Sequence, residues 1–184
     1  MKVDVQPLEC MGLKGRVMRV PARKKRKILV VYGSHASLER NLGLAQAFAQ
    51  FGSVTMPDLP GHGGMDSLAD IGQDITLEGM ADYLAEFVRS EYDDQKFTVV
   101  GFSLGAVVVT VMLQHHPDLV DQVEDYVSVA GCGHSSDFKF GPIRRQFYIN
   151  GLRLIGTRVG ARIFDTLFVQ EWWLRRMYKL SIPP

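Results

Sequence analysis

The sequence has 184 residues, a formal net charge of +1 and 46% hydrophobic residues. This length suits one domain with a sizeable core, and the near-neutral charge does not favour nucleic acid as the main partner. The two cysteines, Cys10 and Cys132, exclude a disulfide-dense scaffold and match no zinc-ligand spacing, so no metal site is expected. Residues 1–10 lack a signal-peptide core and no apolar run reaches ~20 residues, which predicts a cytoplasmic protein.

The N-terminal region predicts a hairpin followed by a buried strand. Residues 8–20 read as two short strands around Gly12 and Gly15. The five basic residues 23–27 come next, and they form either a solvated turn or an anion-binding or localisation patch. Residues 28–32 are continuously apolar, which is typical of a strand covered on both faces.

A helix, a strand and a long loop are expected next. Residues 38–51 have helical spacing of their apolar positions, and Gly52 is expected to cap the helix. Residues 53–56 predict a short strand. Residues 57–64, rich in proline and glycine, predict a loop.

The alternation of helix and strand is then expected twice more. A helix is expected from Thr76 to Asp93, a buried strand over 96–100, a helix ending near His116, and a strand over 125–130. This alternation predicts an α/β fold, with a mainly parallel sheet and helices on both faces. Ligands of such sheets bind at the carboxyl ends of the strands.

The sequence Gly101-Phe102-Ser103-Leu104-Gly105 fits the G-x-S-x-G pattern and lies between a predicted strand and a predicted helix. In that context the serine occupies a sharp turn that exposes its hydroxyl group above the sheet. The pattern therefore predicts Ser103 as a nucleophile. The N–H group of Leu104, at the start of the helix, would be one donor of an oxyanion hole.

Three segments together resemble the α/β-hydrolase superfamily. Residues 30–34 are similar to its strand-then-HG segment, residues 57–63 to its D-x-P-G-x-G loop, and residues 101–105 to its nucleophile elbow. The resemblance covers roughly residues 10–135 and is nearest to lid-bearing esterases, lipases and C–C bond hydrolases. It implies a carboxylesterase-like serine hydrolase that acts on a small-molecule ester or another acyl compound.

The resemblance also implies roles for individual residues. The second oxyanion N–H would come from Ser34, with His35 as the neighbouring alternative. Tyr32 stands where the family usually has a histidine of mostly structural role. Asp58 and His62 would shape the loop that contains them.

In the family the catalytic acid and histidine follow the serine along the chain. Asp137 is a candidate acid because it follows the strand ending at Ala130, whereas His134 leaves from a different strand than the family's base. His115 and His116 fall at the end of a helix. We therefore expect an incomplete α/β-hydrolase fold without the family's C-terminal part, which would lower the rate by orders of magnitude.

Two regions are predicted: an α/β-hydrolase core over 1–137 and a helical, lid-like segment over 138–184. The second region has nine basic and two acidic residues among many apolar ones. It would pack its apolar face on the core or rest on an anionic membrane surface. The sequence does not indicate an oligomeric state.

The sequence also bears on two further classes of protein. A non-catalytic binding or interaction module on the same scaffold would explain the absence of a clear catalytic histidine, since the fold hosts many functions. A dinucleotide-binding domain is disfavoured because no G-x-G-x-x-G follows the first strand of a βαβ unit. No cofactor is therefore expected.

Overall fold

The computed structural model describes residues 3–34 and 36–131, together with the single residues Gly141, Gln146 and Asn150. The chain divides into two units, residues 1–135 and 136–184, and every element named below belongs to the first. Apart from those three positions, the lid-like segment predicted for 138–184 lies outside the described residues.

The described residues form one six-stranded sheet with the order β1-β2-β4-β3-β5-β6. The strands are β1 Asp4–Cys10, β2 Leu13–Val20, β3 Lys27–Val31, β4 Ser53–Pro57, β5 Phe97–Phe102 and β6 Val123–Val129. Strands β4, β3, β5 and β6 are parallel, whereas β2 pairs antiparallel with both β1 and β4. The predicted mainly parallel sheet is confirmed.

Helices cover both faces of the sheet, as predicted. They are α1 Leu42–Phe48, α2 Leu77–Tyr92 and α3 Leu104–His115. In β3, Leu29 and Val31 join the core formed with α2 and α3, while Ile28 and Val30 join the core formed with α1. This alternation explains why the strand is apolar throughout, since each side chain is buried on one face or the other.

The predicted hairpin is confirmed, although β1 begins earlier than expected. Met11 and Gly12 form its turn with positive φ angles of 53° and 78°, as tight two-residue hairpins require. Gly15 is not a turn residue but lies inside β2. A side chain there would collide with Met65, which packs over the strand.

The helix predicted over 38–51 is wrong in length. A 3-10 turn occupies Glu39–Asn41, and α1 ends at Phe48 with Ala49 as its C-cap. Gly52 does not cap the helix. It allows close packing, because a Cβ atom there would collide with the backbone of Arg26. The helical spacing identified the buried face correctly but did not show where this short helix begins and ends.

Helix α2 begins where the sequence indicated. Thr76 is its N-cap, and its Oγ1 accepts a 3.0 Å hydrogen bond from the N–H group of Gly79, which satisfies one of the free donors of the first turn. Among the helices of the described ranges, none is long and apolar enough to span a bilayer.

Candidate active site

Ser103 occupies a strained turn between β5 and α3. Its backbone angles are φ 50° and ψ −116°, a combination that non-glycine residues rarely adopt. Its N–H group donates a 2.9 Å hydrogen bond to the carbonyl oxygen of Val129, at the end of β6. The serine is exposed at the carboxyl edge of the sheet, where the predicted nucleophile was expected.

The two glycines of the G-x-S-x-G pattern allow close packing of the first turn of α3. A Cβ atom on Gly101 would lie 2.5 Å from Cα of Ala106, and one on Gly105 would collide with the carbonyl oxygen of Val31. Helix α3 therefore starts directly against β5 and β3. This packing gives a physical reason for both glycines and places the start of the helix beside Ser103.

The turn after β3 lies against Ser103. A Cβ atom on Gly33 would be 3.0 Å from Cβ and 3.6 Å from Oγ of Ser103, so only glycine permits this approach without displacement. Ser34 follows in the same turn and is exposed. The structure thus brings the turn that contains one predicted donor to Ser103, while His35 lies outside the described residues.

Leu104, the other predicted donor, is the first residue of α3. The N–H groups of a helix's first turn have no partner within the helix. The helix dipole adds partial positive charge at the same end. The arrangement suits an oxygen that gains negative charge beside Ser103.

The loop after β4 is built around a buried carboxylate. Asp58 is fully buried. Its Oδ2 accepts hydrogen bonds from the N–H group of Gly64 at 2.9 Å and from Nε of Arg16 at 3.1 Å, and its Oδ1 accepts one from the hydroxyl group of Tyr32 at 2.5 Å. Three donors stabilise this charge away from water, and they leave Asp58 engaged in holding the loop.

Tyr32 occupies the position before Gly33, where the resemblance led us to expect a histidine. Burial, followed by its hydrogen bond to the Asp58 carboxylate, raises the pKa of Tyr32 well above its usual range. The phenol therefore stays protonated and acts as a constant donor. The sequence showed that Tyr32 stands in place of the expected histidine, but it did not show that Asp58 is the partner of Tyr32.

Arg16 was missed by the sequence analysis and links this network to the surface. It binds Asp58 through Nε and Glu39 through Nη1, the second at 2.5 Å. The Arg16 hydrogen bond is the largest cause that lowers the pKa of Glu39 to about 2. Nothing in the sequence separated this strand arginine from other surface arginines.

The described histidines His62 and His116 have partners elsewhere, and His115 lies at the far end of α3. The Nδ1 atom of His62 lies 3.0 Å from the carbonyl oxygen of Pro60. His115 ends α3, which has 12 residues and therefore spans about 18 Å from its start. His116 lies just beyond and its Nε2 is 2.8 Å from Oδ1 of Asp82. His134 and Asp137 lie outside the described residues.

A hollow of about 400 Å³ lies at the opposite edge of the sheet from Ser103. Its lining includes Arg19, Lys27, Thr55 and Glu91, from the carboxyl end of β2, the amino ends of β3 and β4, and the C-terminal end of α2. Ser103 does not contribute to it. An acyl substrate that reacts at Ser103 would therefore bind elsewhere.

The family model for the alpha/beta hydrolase fold matches residues 28–147. This match includes the turn after β3, the loop after β4 and the elbow at Ser103. It covers more than half of the sequence. The chain belongs to the α/β-hydrolase fold family.

Solved structures show the same fold. A putative lipase from Acinetobacter baumannii AYE is 18% identical, with a TM-score of 0.69 over 97% of this chain and 60% of that one. A membrane phospholipase A, described as a bacterial virulence factor, is 17% identical, with a TM-score of 0.67 over 92% and 53%. An epoxide hydrolase from Vigna radiata is 17% identical, with a TM-score of 0.66 over 89% and 53%.

At these identities the likeness concerns the fold alone. The chain spans between 53% and 60% of the length of these three structures. No curated protein matches the sequence significantly.

Proposed function

We propose that this chain belongs to a serine hydrolase that uses Ser103 to attack an ester or another acyl substrate. The observation that carries the proposal is the backbone of Ser103, which is held at a φ of 50° on an exposed turn. Such strain costs of order 1–3 kcal/mol and persists only where the surrounding structure imposes it. Here the imposed geometry presents a hydroxyl group beside the start of a helix.

In the proposed reaction, Ser103 Oγ forms a bond to the carbonyl carbon and loses its proton to a base. The carbonyl oxygen becomes an oxyanion, which the N–H groups of Leu104 and Ser34 would bind. The intermediate collapses, the alcohol leaves with a proton, and a water molecule then hydrolyses the acyl-serine. The strained turn and the first turn of α3 prepare this site before substrate binds.

The base is not assigned. His62, His115 and His116 are held by other groups or lie at the far end of α3. We therefore place the base outside the described ranges. Asp137 remains our candidate for the acid that would orient it.

The substrate class follows from the chemistry of the pair of predicted donors. Two N–H groups beside a hydroxyl nucleophile suit the negative oxygen of a tetrahedral acyl intermediate. Two of the similar structures are described as a putative lipase and a membrane phospholipase A. We therefore propose a carboxylesterase-like reaction on a small-molecule substrate. A cytoplasmic location stays a prediction.

A non-catalytic binding module is the second candidate. Within the described residues, no side chain forms a hydrogen bond with Ser103 Oγ, so nothing there activates the hydroxyl group. A serine without a base would still offer a polar group at the carboxyl edge, where ligands of parallel sheets bind.

Labelling with a fluorophosphonate probe tests whether the chain is a serine hydrolase or a non-catalytic binding module. The full chain should react, and the Ser103→Ala variant should not. Ser53→Ala, at the amino end of β4, is the matched control and should label like the unmodified chain. Hydrolysis of p-nitrophenyl esters of increasing acyl length would then define the substrate class.

A folded chain that binds no probe and hydrolyses no ester would contradict the hydrolase proposal for this chain. Retained ligand binding under those conditions would support the binding module. Labelling that survives Ser103→Ala would mean that another residue is the nucleophile.

A further inference from the structure

The loop between β2 and β3 concentrates positive charge at the amino edge of the sheet. We call residues 23–27, Arg23-Lys24-Lys25-Arg26-Lys27, the basic loop. The first four of these residues are exposed, and Lys27 begins β3 half-buried. The loop lies at the end of the parallel strands opposite to Ser103, so the proposed function does not use it.

An exposed aromatic side chain adjoins the basic loop. Phe51 is 59% exposed, and Nζ of Lys24 lies 5.7 Å from the centre of its ring. The N–H group of Ser53 donates a 2.9 Å hydrogen bond to the carbonyl oxygen of Arg26, and Gly52 packs on the same backbone. The turn that contains Phe51 and the basic loop therefore form one surface.

Most of the charge of this surface is not neutralised. Arg26 pairs with Asp125 at 3.6 Å. For the other four cations of the basic loop, no carboxylate of the described residues lies within ion-pair distance. The acidic residues Asp94, just before β5, and Glu124, in β6, lie at the same edge of the sheet, and within the described residues neither forms an ion pair with the basic loop.

We propose that the basic loop and Phe51 bind the surface of an anionic membrane. Cations next to a bilayer are attracted by anionic lipid headgroups, and aromatic side chains favour the interface between headgroups and hydrocarbon. An exposed phenyl ring among exposed cations offers both interactions at one place. Ser103, at the other edge, would face away from the lipid.

The overall charge favours a membrane over a nucleic acid as the partner. Domains that bind nucleic acid usually carry a high net positive charge, whereas this chain has a net charge of +1. Residues 1–137 contain 12 basic and 18 acidic residues, so the attraction would come from the local cluster, because screening limits the interaction to about 8 Å at physiological salt. Phe51, the apolar residue of this surface, would favour the interface between lipid headgroups and hydrocarbon.

Vesicle sedimentation with the full chain tests the proposal. Vesicles of phosphatidylcholine with phosphatidylserine should bind the chain, vesicles of phosphatidylcholine alone should not, and added salt should weaken the binding. Each lysine contributes about fivefold, or ~1 kcal/mol, near such a surface. The double variant Lys24→Gln/Lys25→Gln should therefore bind about 25-fold more weakly, and Phe51→Ser should also bind more weakly.

Lys14→Gln is the matched control. Lys14 is an exposed lysine near the start of β2, beyond the carboxyl end of β4, and its variant should bind vesicles like the unmodified chain. Ser103→Ala should also bind normally, which separates this proposal from the proposed hydrolase. Because the substituted side chains are exposed, unchanged thermal unfolding would show that the variants are folded.

Three results would overturn the proposal. The first is no preference for phosphatidylserine vesicles. The second is vesicle binding that the double variant leaves intact, which would assign the contact to other basic residues of the chain. The third is binding of a nucleic acid duplex, lost in the double variant, without any vesicle binding.

Discussion

The hydroxyl group of Tyr32 donates a 2.5 Å hydrogen bond to Oδ1 of Asp58 and so joins the end of β3 to the loop after β4. Tyr83 adds a second link, because its hydroxyl group donates to the backbone carbonyl of Asp58 at 3.0 Å. Both tyrosines and the aspartate are buried. The turn that approaches Ser103 is therefore anchored by Tyr32, which directly follows β3, to a loop that Tyr83 of α2 also holds.

Replacing Tyr32 with phenylalanine should lower the free energy of unfolding by about 2 kcal/mol. The buried carboxylate of Asp58 would lose one of its donors, and hydrogen bonds to charged groups contribute ~1.5–3 kcal/mol. Urea unfolding of the variant and the unmodified chain measures the difference. A loss below about 0.5 kcal/mol would mean that Asp58 does not need this donor.

Tyr92→Phe provides the control for that measurement. The hydroxyl group of Tyr92 is buried and has no hydrogen-bond partner among the described residues, while its ring stacks on Phe97 with centres 4.5 Å apart. Removing an unsatisfied buried hydroxyl group relieves a desolvation cost. The variant should be as stable as the unmodified chain or more stable.

Gly105→Ala should destabilise the chain by about 1–3 kcal/mol, as overpacking usually does. The new methyl group would meet the carbonyl oxygens of Val31 and Tyr32. Gly43→Ala, within α1 and with no atom within 4 Å of the new Cβ, should instead stabilise by about 0.5–1 kcal/mol. Thermal unfolding distinguishes the two, and equal effects would contradict the packing described for the elbow.

The ion pair between Glu39 and Arg16 predicts a defined pH dependence. The pKa of Glu39 is lowered from 4.5 to about 2 in the folded chain, chiefly by the Arg16 hydrogen bond. A lowered folded-state pKa stabilises above the unfolded value and loses this contribution as pH falls toward 2. Because the Glu39 side chain is 63% exposed, we expect only about 0.2–1 kcal/mol.

Glu39→Gln should remove that contribution. The variant should be less stable than the unmodified chain above about pH 5, and the difference should shrink as the solution is acidified. Unfolding curves at several pH values give the comparison. Glu124→Gln, at a carboxylate without an ion pair among the described residues, is the control, and a pH-independent loss in Glu39→Gln would contradict the assignment.

Sequence patterns predicted the parts of the fold that depend on residues close together in the chain. Thr76 could be identified as an N-cap from its own chemistry and position, and the strand that became β3 from its continuous apolar run. The two elbow glycines were recognised together with Ser103 from the spacing of the G-x-S-x-G pattern, although Gly105 packs against the distant Val31.

Long-range partners could not be predicted in this way. Arg16 and Asp58 are 42 residues apart in sequence, and no periodicity relates them. Tyr32 departs from the usual residue of the fold family, yet only the three-dimensional structure shows that its hydroxyl group reaches the same carboxylate. The length of α1 was also missed, since helical spacing defines a buried face without fixing the ends of a short helix.

The pairing of Val31 with Gly101 in the β3–β5 ladder sets Gly33 beside Ser103 two residues further along. The alignment of these two strand ends, rather than the length of the chain between them, thus determines the spacing at the elbow. Insertions in surface turns such as the one before β4 should leave that spacing intact. One residue added between Val31 and Gly33 would displace the turn, so protein engineers have freedom in the connections and very little at this strand end.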